Sequence, residues 1–450
     1  MVWGLICLVF LYLGYKLNSR KLETDFGTDI YSLPESYDDA SSIPLSYRQA
    51  QLLQFGLTFG IEGFFGAVLG VIYGPLTMIW CVLGSVFIGS FLNYYSGMFS
   101  RAHKCSLISV IKHIYGWKIY VLATLTICLL LMVELGVNFI FFMNITATFL
   151  KATPIWYIFL AVVFGLGVVR PRDFAYICMG AGTLIVFTTV YSLMMSLSHL
   201  SDINIGLNIL NYPNIKYAYP VMFFTISIGV LSGIQALKSS LTAEYIKNER
   251  MGKGVFIATT LFQAGTVVLW VLLLLAWNPS YKALTAAIAK VIAPEIILHD
   301  YLSVHMGKVG EIVLFLTLGT TCIISAGAML RLALKLLQEA NIGQRFSVTT
   351  KGVILFVISF VFMYFPFALK GYELISQLLA LFLLWMCFYL RKTHKQSTNF
   401  LLYTIYVLIG GCVAYFPIAV FKLPLIAGIF CGFTTTFFIS LWHWVRLRKS

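Results

Sequence analysis

The sequence predicts an all-α polytopic membrane protein, and three observations carry that prediction. Hydrophobic residues make up 60% of the 450-residue chain and charged residues 11%, where a soluble globular protein carries about 25% charged residues. The apolar residues gather in runs of the roughly 20 residues that a helix needs to cross a bilayer. The basic residues gather in every second gap between those runs, as the positive-inside rule requires.

The runs give roughly thirteen candidate spans, at about 2–16, 52–73, 75–99, 118–149, 153–169, 174–198, 217–237, 255–277, 309–336, 353–369, 374–390, 400–421 and 423–445. Residues 1–16 form an N-terminal transmembrane helix. No basic residue precedes it, Lys16, Arg20 and Lys21 follow it, and it lacks a small-residue cleavage site. It therefore reads as a retained span with its N-terminus outside, not as a cleaved signal. Residues 17–47 mix acidic and basic side chains with Pro34 and Pro44, and read as a solvated cytoplasmic segment. Residues 48–450 form the transmembrane domain. Within it, 279–307 carries LTAAIAKVIAPEIILHDYL, too short and interrupted to span, which suits an extracellular interfacial helix pair. With this alternation only Lys151, Lys216, Lys282, Lys290, Lys308, Lys370 and Lys422 fall in outer gaps, and the other 24 of the 31 lysines and arginines are assigned to the inner side. The C-terminus is then cytoplasmic.

Several function classes are disfavoured. The net charge of +14 is dispersed in the gaps, with no basic stripe interleaved with aromatics, so no nucleic-acid partner is expected. No phosphate loop, zinc motif or G-x-S-x-G is present, so an enzyme is not expected. Among the nine cysteines there is no C-x-x-C pair, and those in apolar runs read as small buried hydrophobes. Nothing implies a metal or a cofactor. The seven histidines are scattered over loops and span ends.

What stands out is polarity inside spans: Glu62, Asn93, Glu134, Asn138, Asn144, Gln235, Gln263 and Gln377. A charge at the bilayer centre costs ~2.5–3.5 kcal/mol on insertion scales, so such groups face a cavity or a partner. Glu62 sits in LQFGLTFGIEGFFGAVLG, with glycines at 56, 60, 63, 66 and 70. Two readings are open. Glycines interrupt helices that line binding sites in transporters, and they also permit tight helix packing, for which Gly56-x-x-x-Gly60 is suited. The carboxylate among them favours a broken helix. Glu134 suits a structural pairing with a basic residue such as Arg331.

Three segments resemble the carbon starvation protein (CstA) family of peptide and pyruvate transporters, with this chain a shortened and divergent member. The first runs GIEGFFGAVLGVIYGPLTMIWCVLGSVFIGSFLNYYSGMFSRAHKCSLISVI. The second, YPVMFFTISIGVLSGIQALKSSLTAEYIKNER, is the most specific, through Ser232, Gly233, Ala236, Leu237, Ser239, Ser240 and Thr242. The third, AMLRLALKLLQEA, matches an Arg-bearing helix loosely. The resemblance implies a LeuT-like inverted-repeat transporter fold with two discontinuous helices, here 52–73 and 217–237. It implies transport of a small carboxylate, amino acid or peptide across the plasma membrane by alternating access, as part of a starvation response. The lining would include Gly60, Glu62, Gly63, Asn93, Ser232, Gly233, Gln235, Ser239 and Gln263. Arg331 would meet a substrate carboxylate or close a cytoplasmic gate.

The chain departs from the family at ionisable positions. Leu53 and Gln54 stand where the family has paired histidines, Asn93 for an acid, Gln235 for a histidine, Gln263 for a glutamate and Gly327 for an aspartate. Glu62 is then the group left to carry a proton. The alternatives are a transport-deficient pseudo-transporter acting as a sensor or membrane partner and, more distantly, an intramembrane acyl transferase, for which only His443 offers a group at the interface.

The alternation makes a direct prediction. Topology reporters fused at Ser450 and within 279–307 should report opposite sides of the membrane. The same side for both would mean that the span count between them is wrong.

Overall fold

In a computed structural model, the described residues are 2–23, 44–73, 78, 81–82, 84–150, 156–198, 233–247, 250–276, 294–299 and 304–363, with 379, 382–384, 386–387 and 390. They are almost wholly helical. The helices used below are α1 (Val2–Glu23), α2 (Tyr47–Tyr73), α3 (Ser90–His103), α4 (Trp117–Leu150) and α5 (Trp156–Val168). They continue with α6 (Pro171–Ser198), α7 (Gly233–Thr242), α8 (Thr259–Ala276), α9 (Val304–Glu339) and α10 (Val348–Met363). Among the described residues four stretches are long and apolar enough to cross a membrane: Trp117–Leu150, Pro171–Ser196, Arg250–Leu274 and Met306–Glu339. Each coincides with a span predicted from the sequence.

The outer helices bury one face and expose the other. On α4, Leu122, Leu125 and Leu129 are exposed in one row, while Ile127, Leu131 and Leu135 are buried. On α10, Val353, Val357 and Val361 form a second exposed row at four-residue spacing, the repeat that keeps side chains on one helix face. The 34 residues of α4 rise about 51 Å at 1.5 Å per residue, so this helix is longer than the ~30 Å hydrocarbon layer.

Two helices organise the packing. α9 packs against α4, α5, α6, α2 and α10, and α2 packs against α6, α8, α9 and α7. From Leu53 to Val68 every residue of α2 is buried, on all faces. This is the glycine-rich segment, and it is discontinuous. Gly60 has φ 53° and ψ −179°, outside helical space, in a region that an L side chain rarely enters and glycine occupies freely. One turn earlier the Thr58 hydroxyl donates to the Gln54 carbonyl at 2.5 Å, a back-bond of the type that bends helices.

The two readings of the glycines divide between residues. Gly60 makes the break. Gly56 makes a close crossing, because a Cβ there would collide with the Cys178 carbonyl of α6. Gly182 of α6 reciprocates, since its Cβ would lie 2.5 Å from the Leu52 carbonyl. Gly63 leaves room for the Phe59 ring, whose nearest atoms would be 2.8 Å from an added Cβ.

Several boundaries differ from the sequence reading. α1 runs past its apolar stretch through Lys16, Arg20 and Lys21 to Glu23, so the helix extends into the segment read as solvated. The span expected to end at 237 continues as helix to Thr242, which carries Lys238 into the interior instead of an inner gap. The rest of that candidate discontinuous helix, 217–232, lies outside the described residues, as do the spans beyond 391. A second non-helical glycine, Gly307 (φ 69°, ψ 179°), falls near the start of α9.

The α2–α6 crossing leaves no space for a methyl group on either side. Gly56→Ala and Gly182→Ala should each destabilise the protein by about 1–3 kcal/mol, the usual scale of overpacking. Gly180→Ala, where nothing lies within 4 Å, should be neutral. Thermal unfolding in detergent would compare them, and equal midpoints for all three would argue against the close crossing.

Candidate functional site

Beside the break in α2 lies a directed chain of buried hydrogen bonds. Gln54 Nε2 of α2 donates to Ser239 Oγ of α7 at 2.8 Å. Ser239 Oγ donates to Asn93 Oδ1 of α3 at 3.0 Å, with the Gln235 carbonyl further off at 3.4 Å. Asn93 Nδ2 donates to Thr260 Oγ1 of α8 at 2.7 Å. Thr260 closes the chain on the Phe256 carbonyl at 2.7 Å. All four side chains are essentially inaccessible, and each comes from a different helix. A buried polar group left without a partner costs about 1–3 kcal/mol, so the chain fixes the relative positions of α2, α3, α7 and α8.

Helical spacing extends this polar face. Gln235 lies one turn before Ser239 on α7 and is buried. Gln263 lies one turn after Thr260 on α8. It is fully buried, and among the described residues neither its amide nitrogen nor its oxygen has a hydrogen-bond partner. The Glu62 carboxylate folds back over the break, where a Cβ on Gly60 would strike its Oε2, and Glu62 is 7% exposed. Aromatic rings wall this region. Phe59 packs edge-on against Phe64 at 5.1 Å and Phe64 against Trp270 at 4.9 Å, and the Trp270 indole donates to Thr189 Oγ1 at 3.0 Å.

The structure therefore brings Asn93 and Ser239 into direct contact and places Gln235 and Gln263 one turn from the chain. Gly60 and Glu62 form the neighbouring break, Gly63 packs against Phe59, and Gly233 is buried at the first described position of α7. Ser232 lies outside the described residues. Arg331 stands apart. It donates to the Val169 carbonyl at 2.8 Å and stacks on the Phe174 ring at 4.7 Å. Its expected ion pair with Glu134 does not form. Arg331 instead lines a separate cavity of about 990 Å³ with Arg101, Lys335 and Lys351.

Sequence reasoning passed over three participants. Gln54 was visible only as the replacement of a histidine, and Thr260 carried no signal because threonine is common in membrane helices. Lys238 is fully buried, and its ammonium donates to Ser325 Oγ of α9 at 2.9 Å. Its three-residue spacing from Gln235 would have placed it on the interior face, had the helix been extended past 237.

Comparison with known proteins agrees with this architecture. No family model matches the chain. An uncharacterised membrane protein of Haemophilus influenzae is 24% identical over 350 residues, covering 64% of this chain and 94% of the relative. MhsT, solved with L-phenylalanine, superposes with a TM-score of 0.56 at 12% identity over 89% of this chain and 99% of its own. A manganese transporter of Eremococcus coleocola gives 0.56 at 12% identity over 92% and 99%. Mhp1 in its inward-facing conformation gives 0.52 at 14% over 94% and 96%. The chain is an all-helical, multi-pass membrane protein with the LeuT-type transporter fold.

The chain of hydrogen bonds predicts non-additive energetics. Asn93→Ala and Thr260→Val should each cost about 1–3 kcal/mol by stranding a partner. The double variant should cost less than the sum, because each single change already breaks the shared bond. Unfolding midpoints of the four proteins close the cycle, and strict additivity would show that the pair does not interact.

Proposed function

We propose that this protein moves a small organic solute, a carboxylate, amino acid or short peptide, across the plasma membrane by alternating access. The observation that carries the reading is the break at Gly60 beside a buried polar face. A helix interrupted at membrane depth is tolerated where its freed backbone groups line a cavity or lie buried in protein, and such helices hold the substrate sites of transporters with inverted repeats. The fold is shared with MhsT, solved with L-phenylalanine, and with a manganese transporter. The polar face here is built of amides and hydroxyls. That set suits hydrogen bonding to an organic cargo better than the negatively charged oxygens or imidazoles that hold divalent metals. The resemblance to the carbon starvation family supports the same substrate classes. Charge placement supports a cytoplasmic C-terminus and an outside N-terminus.

Glu62 is the carboxylate beside the break and our candidate for a proton carrier, because Asn93, Gln235 and Gln263 have no proton to gain or lose. A second reading is a protein that keeps the fold and has lost transport, serving as a sensor or a membrane partner. The specific observation on its side is the Gln54–Ser239–Asn93–Thr260 chain, in which these polar side chains bond to one another where cargo would otherwise bind.

The test is uptake of labelled pyruvate and of a labelled dipeptide into vesicles holding the purified chain, with and without an imposed pH gradient. Gradient-driven uptake is expected for the native chain, falling at least about tenfold in Glu62→Gln, the loss that one charge-assisted hydrogen bond commonly supplies. Full uptake in Glu62→Gln would remove the carboxylate from the mechanism. No uptake of either solute in the native chain, from vesicles shown to be sealed, would favour the second reading.

A further inference from the structure

Lys238 of α7 is fully buried. Its ammonium donates to one hydroxyl, Ser325 Oγ of α9, at 2.9 Å, and among the described residues it forms no ion pair. A hydroxyl orients an ammonium but does not neutralise it. The sequence offers two carboxylates at membrane depth, Glu62 and Glu134, and Lys238 pairs with neither. A charge left uncompensated inside a protein is destabilising, and an apolar residue of similar volume would be better tolerated there. An ionisable group kept at membrane depth in spite of that cost points to a function and to a partner of opposite charge.

The surroundings of Lys238 place this charge beside the polar face. Lys238 directly precedes Ser239, the hydroxyl in the middle of the hydrogen-bonded chain. It follows Gln235 by three residues, on the same side of α7. Its field reaches the Cys178 thiol of α6, and the Cys178 carbonyl lies against Gly56, one turn before the break in α2. The ammonium therefore stands where α6, α7 and α9 meet beside α2. On the same polar face Gln263 is fully buried, and its amide nitrogen has no acceptor among the described residues. What both nitrogens lack is an acceptor, and for Lys238 a negatively charged one. Arg331, the cation that the sequence suggested for this role, is turned to the Val169 carbonyl and the Phe174 ring.

We propose that Lys238 receives the carboxylate of the cargo, so that the site selects a carboxylate over a neutral solute of the same shape. The inference rests on the transport reading above and narrows its substrate class by charge. The ammonium is sealed in this structure, so a carboxylate reaches it only when the helices part, a movement that alternating access supplies. Once the helices close again, the low dielectric around the pair strengthens the attraction, and the contact is a charge-assisted hydrogen bond. Ser325 holds the ammonium in position for that contact.

The full-length chain in detergent is titrated with pyruvate and with alanylalanine, and in parallel with pyruvamide and the C-terminally amidated dipeptide, which keep the shape and lose the carboxylate. Sodium chloride at matched ionic strength controls for screening, and calorimetry and thermal unfolding read binding. At least one of the acids should bind saturably, and its amide at least about tenfold more weakly, the scale of one charge-assisted hydrogen bond. Lys238→Met should raise the unfolding midpoint without ligand, because an apolar stem replaces an unneutralised charge, and should weaken the acid to the level of its amide. Lys238→Gln, which keeps a donor for Ser325 and lacks the charge, should lose the same preference, so the comparison does not depend on one variant folding. Ser325→Ala, which removes only the hydroxyl, should keep it. Equal affinity for acid and amide, a preference that survives both Lys238→Met and Lys238→Gln, or no binding of either acid would overturn the proposal. None of these measurements requires transport. Absent uptake by sealed vesicles alongside Lys238-dependent binding counts against the transport reading alone, and full uptake in Lys238→Met counts against Lys238 alone.

Discussion

A helix that breaks inside a bilayer must hide the backbone groups it frees, because each one left unsatisfied in hydrocarbon costs several kcal/mol. The break at Gly60 sets this constraint, and the surrounding helices answer it. α2 is buried on every face from Leu53 to Val68, with α6, α7, α8 and α9 around it. The crossing with α6 is closed to backbone contact by Gly56 and Gly182. The aromatic wall of Phe59, Phe64 and Trp270 keeps the break from lipid. Exposed leucines and valines lie on other helices, α4 and α10 among them.

The same enclosure explains the buried charges. Glu62, Glu134 and Lys238 would be costly in hydrocarbon, yet all three are almost wholly inaccessible. Each lies at a buried position of its helix. Lys238 shows how local the accommodation is: one hydroxyl, Ser325 Oγ, receives its ammonium at 2.9 Å. Such contacts contribute to specifying which helix faces which, since rotating α7 would strand the ammonium and the Ser239 hydroxyl together.

Among the described residues two polar regions differ in character. Beside the break they are largely neutral, and the Gln54–Ser239–Asn93–Thr260 chain links four helices without any net charge. At the cavity lined by Arg331 they are ionic and tie chain segments to one another. Arg101 clamps the Ile246 and Lys247 carbonyls. Lys335 joins α9 to Glu244. Leu45 donates its amide to the Tyr245 carbonyl at 3.0 Å, and the Tyr245 hydroxyl reaches the Pro171 carbonyl at 2.5 Å. Burial pushes the Tyr245 phenol well up, so it stays protonated and a donor.

The sequence by itself determined the membrane class, the helical content and the place of the break. Long apolar runs have no other stable form in lipid, and a carboxylate among closely spaced glycines is hard to reconcile with an ordinary span. It also marked most of the polar face, because Asn93, Gln235 and Gln263 are conspicuous in apolar surroundings. The partnerships were decided by the tertiary structure alone. Gln54 and Thr260 join the chain through helices far apart in sequence, and no local pattern encodes which hydroxyl a given amide will meet. Arg331 turned to the Val169 carbonyl and Phe174 instead of Glu134, and Lys238 turned inward, because helix rotation and length set where a long side chain ends. The glycines make the division plainest. Spacing permitted both a break and a close crossing, and the backbone of α6 against Gly56, with the carboxylate folded over Gly60, assigned one role to each.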